Sequence, residues 1–296
     1  MKNKLICLLI LVCIIGLGKP ANTAAHQNLK SSVYSPNSVG ILNEVSITFV
    51  GNAGFLIKAG SKKILIDALI KGFKGEYELP VDIQKKIALN QPPFDSVDLI
   101  LATHAHGDHF DAGMTRQYLK NNPKAVFAST SQLTSILADF PDRVITFNPS
   151  KGKSDCKELK GINIEAIYLP HGATEAGQTE LLNYGFIVSV NGVKLFHTGD
   201  IDIQQFTFDE FRAYQLPEKK IDIAFIQHFY LTTDPMERKF VQDGIGSRYI
   251  IPSHYHYTTP PMDTVLVLRN YPDAVVFKEE LQKWVMPSEI PTIKQK

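Results

Sequence analysis

Short apolar runs broken by glycine, proline and polar clusters recur along this chain, and their period separates strands from helices. Val45 to Val50, Gly54 to Ile57 and Lys63 to Asp67 read as three strands, with Gly51 and Gly60 marking the turns between them. Val97 to Ala102 is a continuous apolar run of strand length. Helical spacing runs through Val81 to Leu89, Ala112 to Leu119 and Gln132 to Phe140. In the last of these Leu133, Ile136, Leu137 and Phe140 fall on one face, and Asp111 is placed to cap the second. The scheme then repeats, with strands at Ile162 to Leu169, Tyr184 to Val190, Lys194 to His197, Ile221 to Ile226 and Tyr249 to Pro252. Helices follow at Pro235 to Gln242 and at Pro260 to Arg269, the latter with Thr259 as cap and prolines in its first turn. This order predicts an α/β domain with two similar halves, two sheets packed face to face and helices outside.

Composition sets outer limits. With 44% hydrophobic and 21% charged residues, 296 positions can enclose a large core. A formal net charge of +1 supplies no basic field to draw in a polyanion, so nucleic acid is not the expected substrate. Lys2 and Lys4 precede the apolar run Leu5 to Leu17, which is shorter than the ~20 residues that span a bilayer. The stretch Lys19 to Ala25 has the character of a cleavage region, with Thr23 and Ala25 at cleavage spacing. The expected organisation is a signal peptide over 1–25, a polar leader over 26–44, the folded domain over 45–287 and a tail over 288–296. The mature protein is then exported to the periplasm or the extracellular space without a stable transmembrane anchor. Lipid attachment at Cys13 is disfavoured by the bulky Val12 before it, and an uncleaved anchor is the other alternative. Cleavage would remove Cys7 and Cys13 and leave Cys156, in the polar stretch KGKSDCKELKG, without a disulfide partner.

Chemistry concentrates in LILATHAHGDHFDAG. His104, His106, Asp108 and His109 stand within six residues, although the chain has only 9 histidines, and they directly follow an apolar run. That is a metal-ligand cluster at the mouth of a strand. Residues two apart in an extended segment project to the same side, so His104 and His106 can share one cation, while the turn at Gly107 redirects Asp108 and His109 toward another point. Four further segments each place a candidate ligand after a strand-like run: Asp67 after KKILI, His171 after IEAIYLP, Asp200 after VKLFHTG and His254 after SRYIIPS. Strand ends hold side chains on a stiff scaffold. Taken singly, a turn residue or a satisfied buried histidine explains each of these equally well.

In order, Asp67, His104-x-His106-x-Asp108-His109, His171, Asp200 and His254 resemble the five motifs of the metallo-β-lactamase superfamily, a resemblance that covers nearly all of the chain beyond the leader. It implies an αββα sandwich of two mixed sheets with helices outside. It further implies one cation on His104, His106 and His171, a second on Asp108, His109 and His254, Asp200 bridging both, and Asp67 supporting the ligands through hydrogen bonds. The implied reaction is hydrolysis by a hydroxide held between two divalent cations, which bring the pKa of bound water to about 7. Asp108 and Asp200 are the implied catalytic residues, with Asp108 orienting the hydroxide and returning its proton to the leaving group. Mixed histidine and carboxylate ligands suit zinc best and are tolerated by iron and manganese.

Differences within the superfamily narrow the expectation. Asp200 stands where class B β-lactamases lack a bridging aspartate, and His106 where oxygen-reducing diiron relatives carry glutamate. The few residues after Trp284 leave no room for the helical substrate domain of glyoxalase-II-like enzymes. The remaining resemblance is to a single-domain branch of lactone- and phosphodiester-cleaving enzymes, one of them a phospholipase D type acting on N-acyl phosphatidylethanolamines. The expected function is an exported hydrolase of an ester-type bond, phosphodiester or lactone, in a small-molecule or lipid substrate. Hydrolysis of a membrane phospholipid is the alternative, and outside enzymes a noncatalytic metal-binding protein that retains the fold.

Other polar residues near the motifs carry secondary expectations. His197, inside a strand three residues before Asp200, reads as a buried, hydrogen-bonded histidine supporting the site. His256, two residues after His254, reads as a pocket residue. His228 and Tyr230 follow a buried strand where a substrate can lie, and packing against helices explains them equally well. Lys71 to Leu79, with Phe73 and Tyr77, is a candidate lid, and Ala173 to Glu180 a candidate opposite wall; both are equally solvent-exposed connections. The pattern carries no signal for oligomeric state.

Overall fold

Strands buried on both faces need an apolar layer on each side, and the first half of the chain supplies both. The computed structural model describes residues 44–73, 77–172, 181–254 and 264–287. Its strands are, in chain order, β1 (Val45–Gly51), β2 (Gly54–Ala59), β3 (Lys62–Ile66), β4 (Gly72–Phe73), β5 (Tyr77–Glu78), β6 (Leu99–Ala102), β7 (Val126–Ser129), β8 (Val144–Thr146), β9 (Ser154–Leu159), β10 (Ile162–Tyr168), β11 (Tyr184–Val190), β12 (Val193–His197), β13 (Ile223–Gln227), β14 (Tyr249–Ser253) and β15 (Lys283–Val285). Along β2, β3 and β6, Phe55, Ile57, Ile64, Ile66, Leu99 and Leu101 enter one core, while the intervening Leu56, Leu65, Ile100 and Ala102 enter another. The second core is completed by α1 (Val81–Ala88), α2 (Ala112–Asn121) and α3 (Ser131–Ile136), through Ile83, Ile87, Met114, Tyr118, Leu119 and Leu133.

A seven-stranded sheet has the order β15-β1-β2-β3-β6-β7-β8 and a six-stranded sheet the order β14-β13-β12-β11-β10-β9, with β4 and β5 forming a separate ribbon. Both large sheets are mixed. Strands β15, β1, β2 and β3 pair antiparallel and β3, β6, β7 and β8 parallel. In the second sheet β9 to β12 are antiparallel and β12 to β14 parallel. The inner faces share one core, in which the Phe55 ring of the first sheet lies 4.5 Å from Phe225 of the second. Helices α4 (Phe208–Arg212), α5 (Pro235–Lys239) and α6 (Thr264–Asn270) belong to the second half, which buries Phe211, Phe240, Val241 and Val267. The architecture is the expected two-sheet sandwich with helices outside. No helix among the described residues is long and apolar enough to cross a membrane.

Several elements differ from the pattern's prediction. Asp111 does cap α2, its side chain accepting from Met114 N–H at 2.6 Å. The helix expected over Gln132 to Phe140 stops at Ile136, because Pro141 disfavours a helical Phe140 and the chain tightens into turns. The helix expected over Pro235 to Gln242 is α-helical only to Lys239 and continues as a π-helix over Phe240–Ile245. The last helix is described over Thr264–Asn270, while its expected cap Thr259 and start at Pro260 lie outside the described residues. Strands β4, β5, β7, β8, β9 and β15 and helix α4 were not expected. Cys156 is on β9 at the edge of its sheet, an exposed free thiol. The expected signal peptide and leader up to residue 43, and the tail from 288, lie outside the described residues.

The arrangement that positions chemistry is the common edge onto which strands deliver their carboxyl ends. Asp67 follows β3, Thr103 and His104 follow β6, Asp200 lies just beyond β12, and His254 follows β14. Open α/β sheets bind ligands at such carboxyl ends. Two backbone hydrogen bonds join the sheets here: Tyr184 N–H donates to Thr103 O at 3.1 Å, and His254 N–H donates to Asn52 O at 3.1 Å.

Candidate metal centre

The loop after β6 leaves the sheet with Thr103 and His104 fully buried, and what orients them is Asp67 behind. The Asp67 carboxylate accepts the Thr103 backbone N–H at 2.8 Å on Oδ1 and the Thr103 hydroxyl at 2.7 Å on Oδ2. Oδ2 also lies 2.8 Å from His109 Nδ1. A carboxylate can only accept, so His109 carries a proton on Nδ1 and directs Nε2 inward, the nitrogen left to bind a metal once any proton on it is given up. Thr103 Oγ1, its proton given to Asp67, accepts from His104 Nδ1 at 3.0 Å and sets the same tautomer there. One buried aspartate thus aims two imidazoles.

Around those two rings the other expected ligands converge. His104 Nε2 lies 3.1 Å from His106 Nδ1 and 3.6 Å from Asp200 Oδ2, and His171 Nε2 lies 3.9 Å from the same oxygen. On the other side His109 Nε2 is 3.2 Å from Asp200 Oδ1 and 3.6 Å from Asp108 Oδ2. His254 Nε2 is 3.0 Å from Asp200 Oδ2 and 3.4 Å from Asp108 Oδ2. The ligand atoms form two groups that could each hold an ion: His104, His106, His171 and Asp200, and Asp108, His109, His254 and Asp200, each group within 4.8 Å across. Asp200 belongs to both. Its backbone N–H is anchored by Asn183 Oδ1 at 3.1 Å, and Gly199 before it adopts φ +58°, where a Cβ would stand 2.1 Å from that same Asn183 oxygen. Asp67 and His254 also sit at positive φ, +47° and +55°, conformations that cost non-glycine residues free energy and cluster at functional sites.

Electrostatics follow from this crowding. Burial opposes the charge on Asp200, yet His109, His254 and His104 around it hold its carboxyl well below the usual range. Asp108 is held down in the same way, burial being outweighed by its hydrogen bond to His254 and by His109. Burial also opposes protonation of His254, but Asp200 and Asp108 pull its pKa up to about 10. His109 is raised well above the ordinary value against burial by Asp200 and Asp67. His104 and His106 move the other way, pushed down by burial and then chiefly by a neighbouring imidazole, His109 and His171 respectively. They are neutral imidazoles with a free lone pair, the form that binds a metal.

Divalent cations fit this donor set. His171 Nε2 is a buried atom without a hydrogen-bond partner, a costly arrangement for protein alone. Ligands ~2.0–2.2 Å from a tetrahedral zinc ion are ~3.3–3.6 Å from one another, and the separations of 3.0 to 3.9 Å across the site bracket that edge. The two imidazole and carboxylate clusters share one aspartate and could each hold a metal ion, the second on loss of the protons that His109 and His254 carry without it.

The remaining expected residues are placed as follows. His197 is buried, its Nε2 2.9 Å from Ala53 O and its Nδ1 accepting Gly199 N–H at 3.0 Å, with burial pushing its pKa down. It lies 3.9 Å from Asp67 and holds the turn that carries Asp200. His228 and Tyr230 lie on a 3-10 turn. The Tyr230 hydroxyl donates to Ile201 O at 2.9 Å and accepts Ile203 N–H at 3.4 Å, so it is committed to the backbone. It is Phe229 between them, 43% exposed, whose ring stands 6.0 Å from His254. In the candidate lid Tyr77 is buried and its hydroxyl donates to Glu280 at 3.2 Å, which makes it a core residue, while 74–76 lie outside the described residues. His256 and the segment 173–180 also lie outside them. Sequence reasoning missed Asn52, Thr103 and Asn183, whose only signals are a polar residue between glycines in VGNAG, the position before His104, and the position before β11.

Residues 46–254 match a family model described as Beta-lactamase superfamily domain. A UPF0173 metal-dependent hydrolase of Pyrococcus furiosus is 30% identical over 223 residues, 74% of this chain and 87% of that protein. Among solved structures, Igni18, a metallo hydrolase from Ignicoccus hospitalis, superposes with a TM-score of 0.59 at 19% identity, over 83% of this chain and all (100%) of that one. CmlA, a diiron β-hydroxylase from Streptomyces venezuelae, superposes at 0.54 with 13% identity, over 82% of this chain and 54% of that one. At these identities the structural likeness is one of fold.

Proposed function

This chain belongs to the beta-lactamase superfamily and is a relative of metal-dependent hydrolases, and from that premise we propose that it hydrolyses an ester-type bond, a phosphodiester or a lactone, in a small-molecule or lipid substrate. The observation that carries the proposal is Asp200 shared between two histidine-rich groups, each of which could hold a metal ion. Bound there, divalent cations, zinc by preference and iron or manganese by tolerance, supply Lewis acidity that acidifies water and polarises the substrate oxygen. His104, His106 and His171 would hold one ion and Asp108, His109 and His254 the other, with Asp200 between. Asp67, through Thr103 and His109, fixes the tautomers that leave each inward nitrogen free. Asp108, with Oδ2 facing both His109 and His254, is the group placed to take a proton from the attacking water and return it to the leaving oxygen.

One observation favours a substrate with an apolar portion. Phe229 is a large exposed apolar ring beside His254, stacked edge-on against Tyr230 at 4.8 Å. That keeps hydrolysis of a membrane phospholipid as the second reading. The proposal includes export, with residues 1–25 as signal peptide, 26–44 as leader, 45–287 as the hydrolase domain and 288–296 as tail; the basic start and the apolar run Leu5 to Leu17 support it.

The test is an assay of the purified protein with bis(p-nitrophenyl) phosphate, a panel of lactones and an N-acyl phosphatidylethanolamine in vesicles, before and after chelation. Turnover on at least one ester that chelator removes and zinc restores is the expected result. Fully metal-loaded protein that turns over none of them would overturn the ester reading and leave a noncatalytic metal-binding protein. Sequencing the amino terminus of protein recovered outside the cells that make it tests export.

A further inference from the structure

We propose that Asn52, in the turn between β1 and β2, is the positioning residue for the second ion, holding Asp108 through its side chain and His254 through its backbone. The inference rests on the two-ion reading of the site and is independent of which bond is cleaved. Asn52 is fully buried. Its Nδ2 donates to Asp108 Oδ2 at 3.0 Å and to the Asp108 backbone carbonyl at 3.2 Å, across 56 residues of sequence. Its own carbonyl accepts the His254 backbone N–H at 3.1 Å. Two of the residues that form the second ligand group are therefore tied to one amino acid, and neither tie touches the first group.

The amide is committed to this orientation. Reversing it would set a carbonyl oxygen against the Asp108 carboxylate, two acceptors with no proton between them. In the orientation observed, the donor side satisfies Asp108 while Oδ1 stays buried without a partner. A buried acceptor is left unpaired for the sake of the donor contacts, which marks the Asp108 contact as the one the position is shaped around. The backbone agrees. Asn52 has φ +49°, and asparagine is enriched among non-glycine residues that accept this region. The turn thereby presents both the side-chain amide and the main-chain carbonyl toward the site. By contrast, His104 in the first group takes its support from Thr103 at 3.0 Å.

The conformation supplies a clean test. Asn52→Gly keeps a positive φ without strain and keeps the carbonyl that receives His254, so it removes the amide alone. Metal-free wild-type protein titrated with zinc by calorimetry, with bound metal counted after dialysis, is expected to take two ions per chain. Asn52→Gly is expected to take the first ion within about twofold of wild-type affinity and the second ~10–100-fold more weakly, the range for losing a group that orients a ligand. Asn52→Asp, which keeps the size and the turn but faces Asp108 with a second carboxylate, is expected to weaken the second ion as well. Equal weakening of both ions in the glycine variant would mean a general structural role and overturn the inference, as would two ions at wild-type affinity. A wild-type protein that binds only one ion overturns it too. Failure to cleave any ester leaves it standing, because the readout is ion binding.

Discussion

Replacing Asp67 by asparagine changes one atom in the support of the site, and the structure sets what that change should cost. Asp67 is fully buried and accepts three hydrogen bonds, from Thr103 N–H, Thr103 Oγ1–H and His109 Nδ1–H. An asparagine amide has one accepting oxygen. With that oxygen at the Oδ2 position, its NH2 confronts the Thr103 N–H, and two buried donors face each other. Turned over, the NH2 confronts both the Thr103 hydroxyl and His109 Nδ1–H, and His109 can relieve the clash only by moving its proton to Nε2, the nitrogen that faces Asp200. The first arrangement is the milder one. It loses one bond to a charged acceptor, ~1.5–3 kcal/mol, and strands a buried donor, ~1–3 kcal/mol, so the metal-free protein should lose about 3–5 kcal/mol. Weaker aiming of His104 and His109 should lower zinc affinity ~10–100-fold. Denaturant unfolding of metal-free Asp67→Asn gives the first figure, and competition with a chromogenic chelator gives the second. Wild-type affinity together with an unchanged unfolding midpoint would refute the claim that this carboxylate organises the ligands.

Asp200→Ala and His197→Ala separate ligand from scaffold: the first should abolish chelator-sensitive turnover and lower bound metal, while the second should keep both metals and lose ~2–4 kcal/mol through its stacking on Phe225 at 5.5 Å and its bond to Ala53; equal residual activity in the two would count against the assignment. Gly199→Ala places a Cβ against Asn183 Oδ1 and Thr103 at φ +58°, and the combined strain of ~2–5 kcal/mol should appear as a lowered unfolding midpoint together with weaker metal binding. In the metal-free protein the pKa of His254, raised to about 10, lies above its unfolded value of ~6.5. Its contribution to stability is therefore complete below pH ~6.5 and lost as pH rises toward 10, whereas those of Asp108 and Asp200, whose pKa values are lowered, hold above pH ~4 and are lost as pH falls. Burial lowers the pKa values of His104, His106 and His197, so what they contribute holds above pH ~6.5 and is lost as pH falls; unfolding of metal-free protein should thus show a maximum near pH ~6.5, and apparent zinc affinity should climb from pH 6 to 9 as the ion displaces the proton on His254, whereas a zinc affinity independent of pH would contradict this network.

What was legible in the chain was what is local. His104 to His109 announce themselves because four candidate ligands follow one apolar strand within a short loop, and the short apolar runs of β2 and β3, bounded by Gly51 and Gly60, read directly as strands. The meeting of His171, Asp200 and His254 with that loop was not readable from periodicity and came from resemblance to a family. Strand β9 was hidden because SDCKEL alternates between exposed and half-buried positions at a sheet edge and carries no apolar run. Strands β8 and β15 are three residues each and owe their state to backbone pairing with a neighbour. Asn52 was invisible for another reason: its meaning depends on a left-handed turn and on a partner far along the chain. The exposure of Phe229 between His228 and Tyr230 was not readable either, since a 3-10 turn rotates the exposed position in a way no strand or helix period predicts.

The provenance of the ligands has a mechanical consequence. His104, His106, Asp108 and His109 come from the edge of one sheet, and His171, Asp200 and His254 from the other. Backbone ladders run within each layer, and only side-chain packing and a few loop contacts cross the seam. Each ligand group draws on both layers, so metal held there would act as a clasp at the open end of the sandwich, and heat or denaturant could slide the layers only by releasing it first.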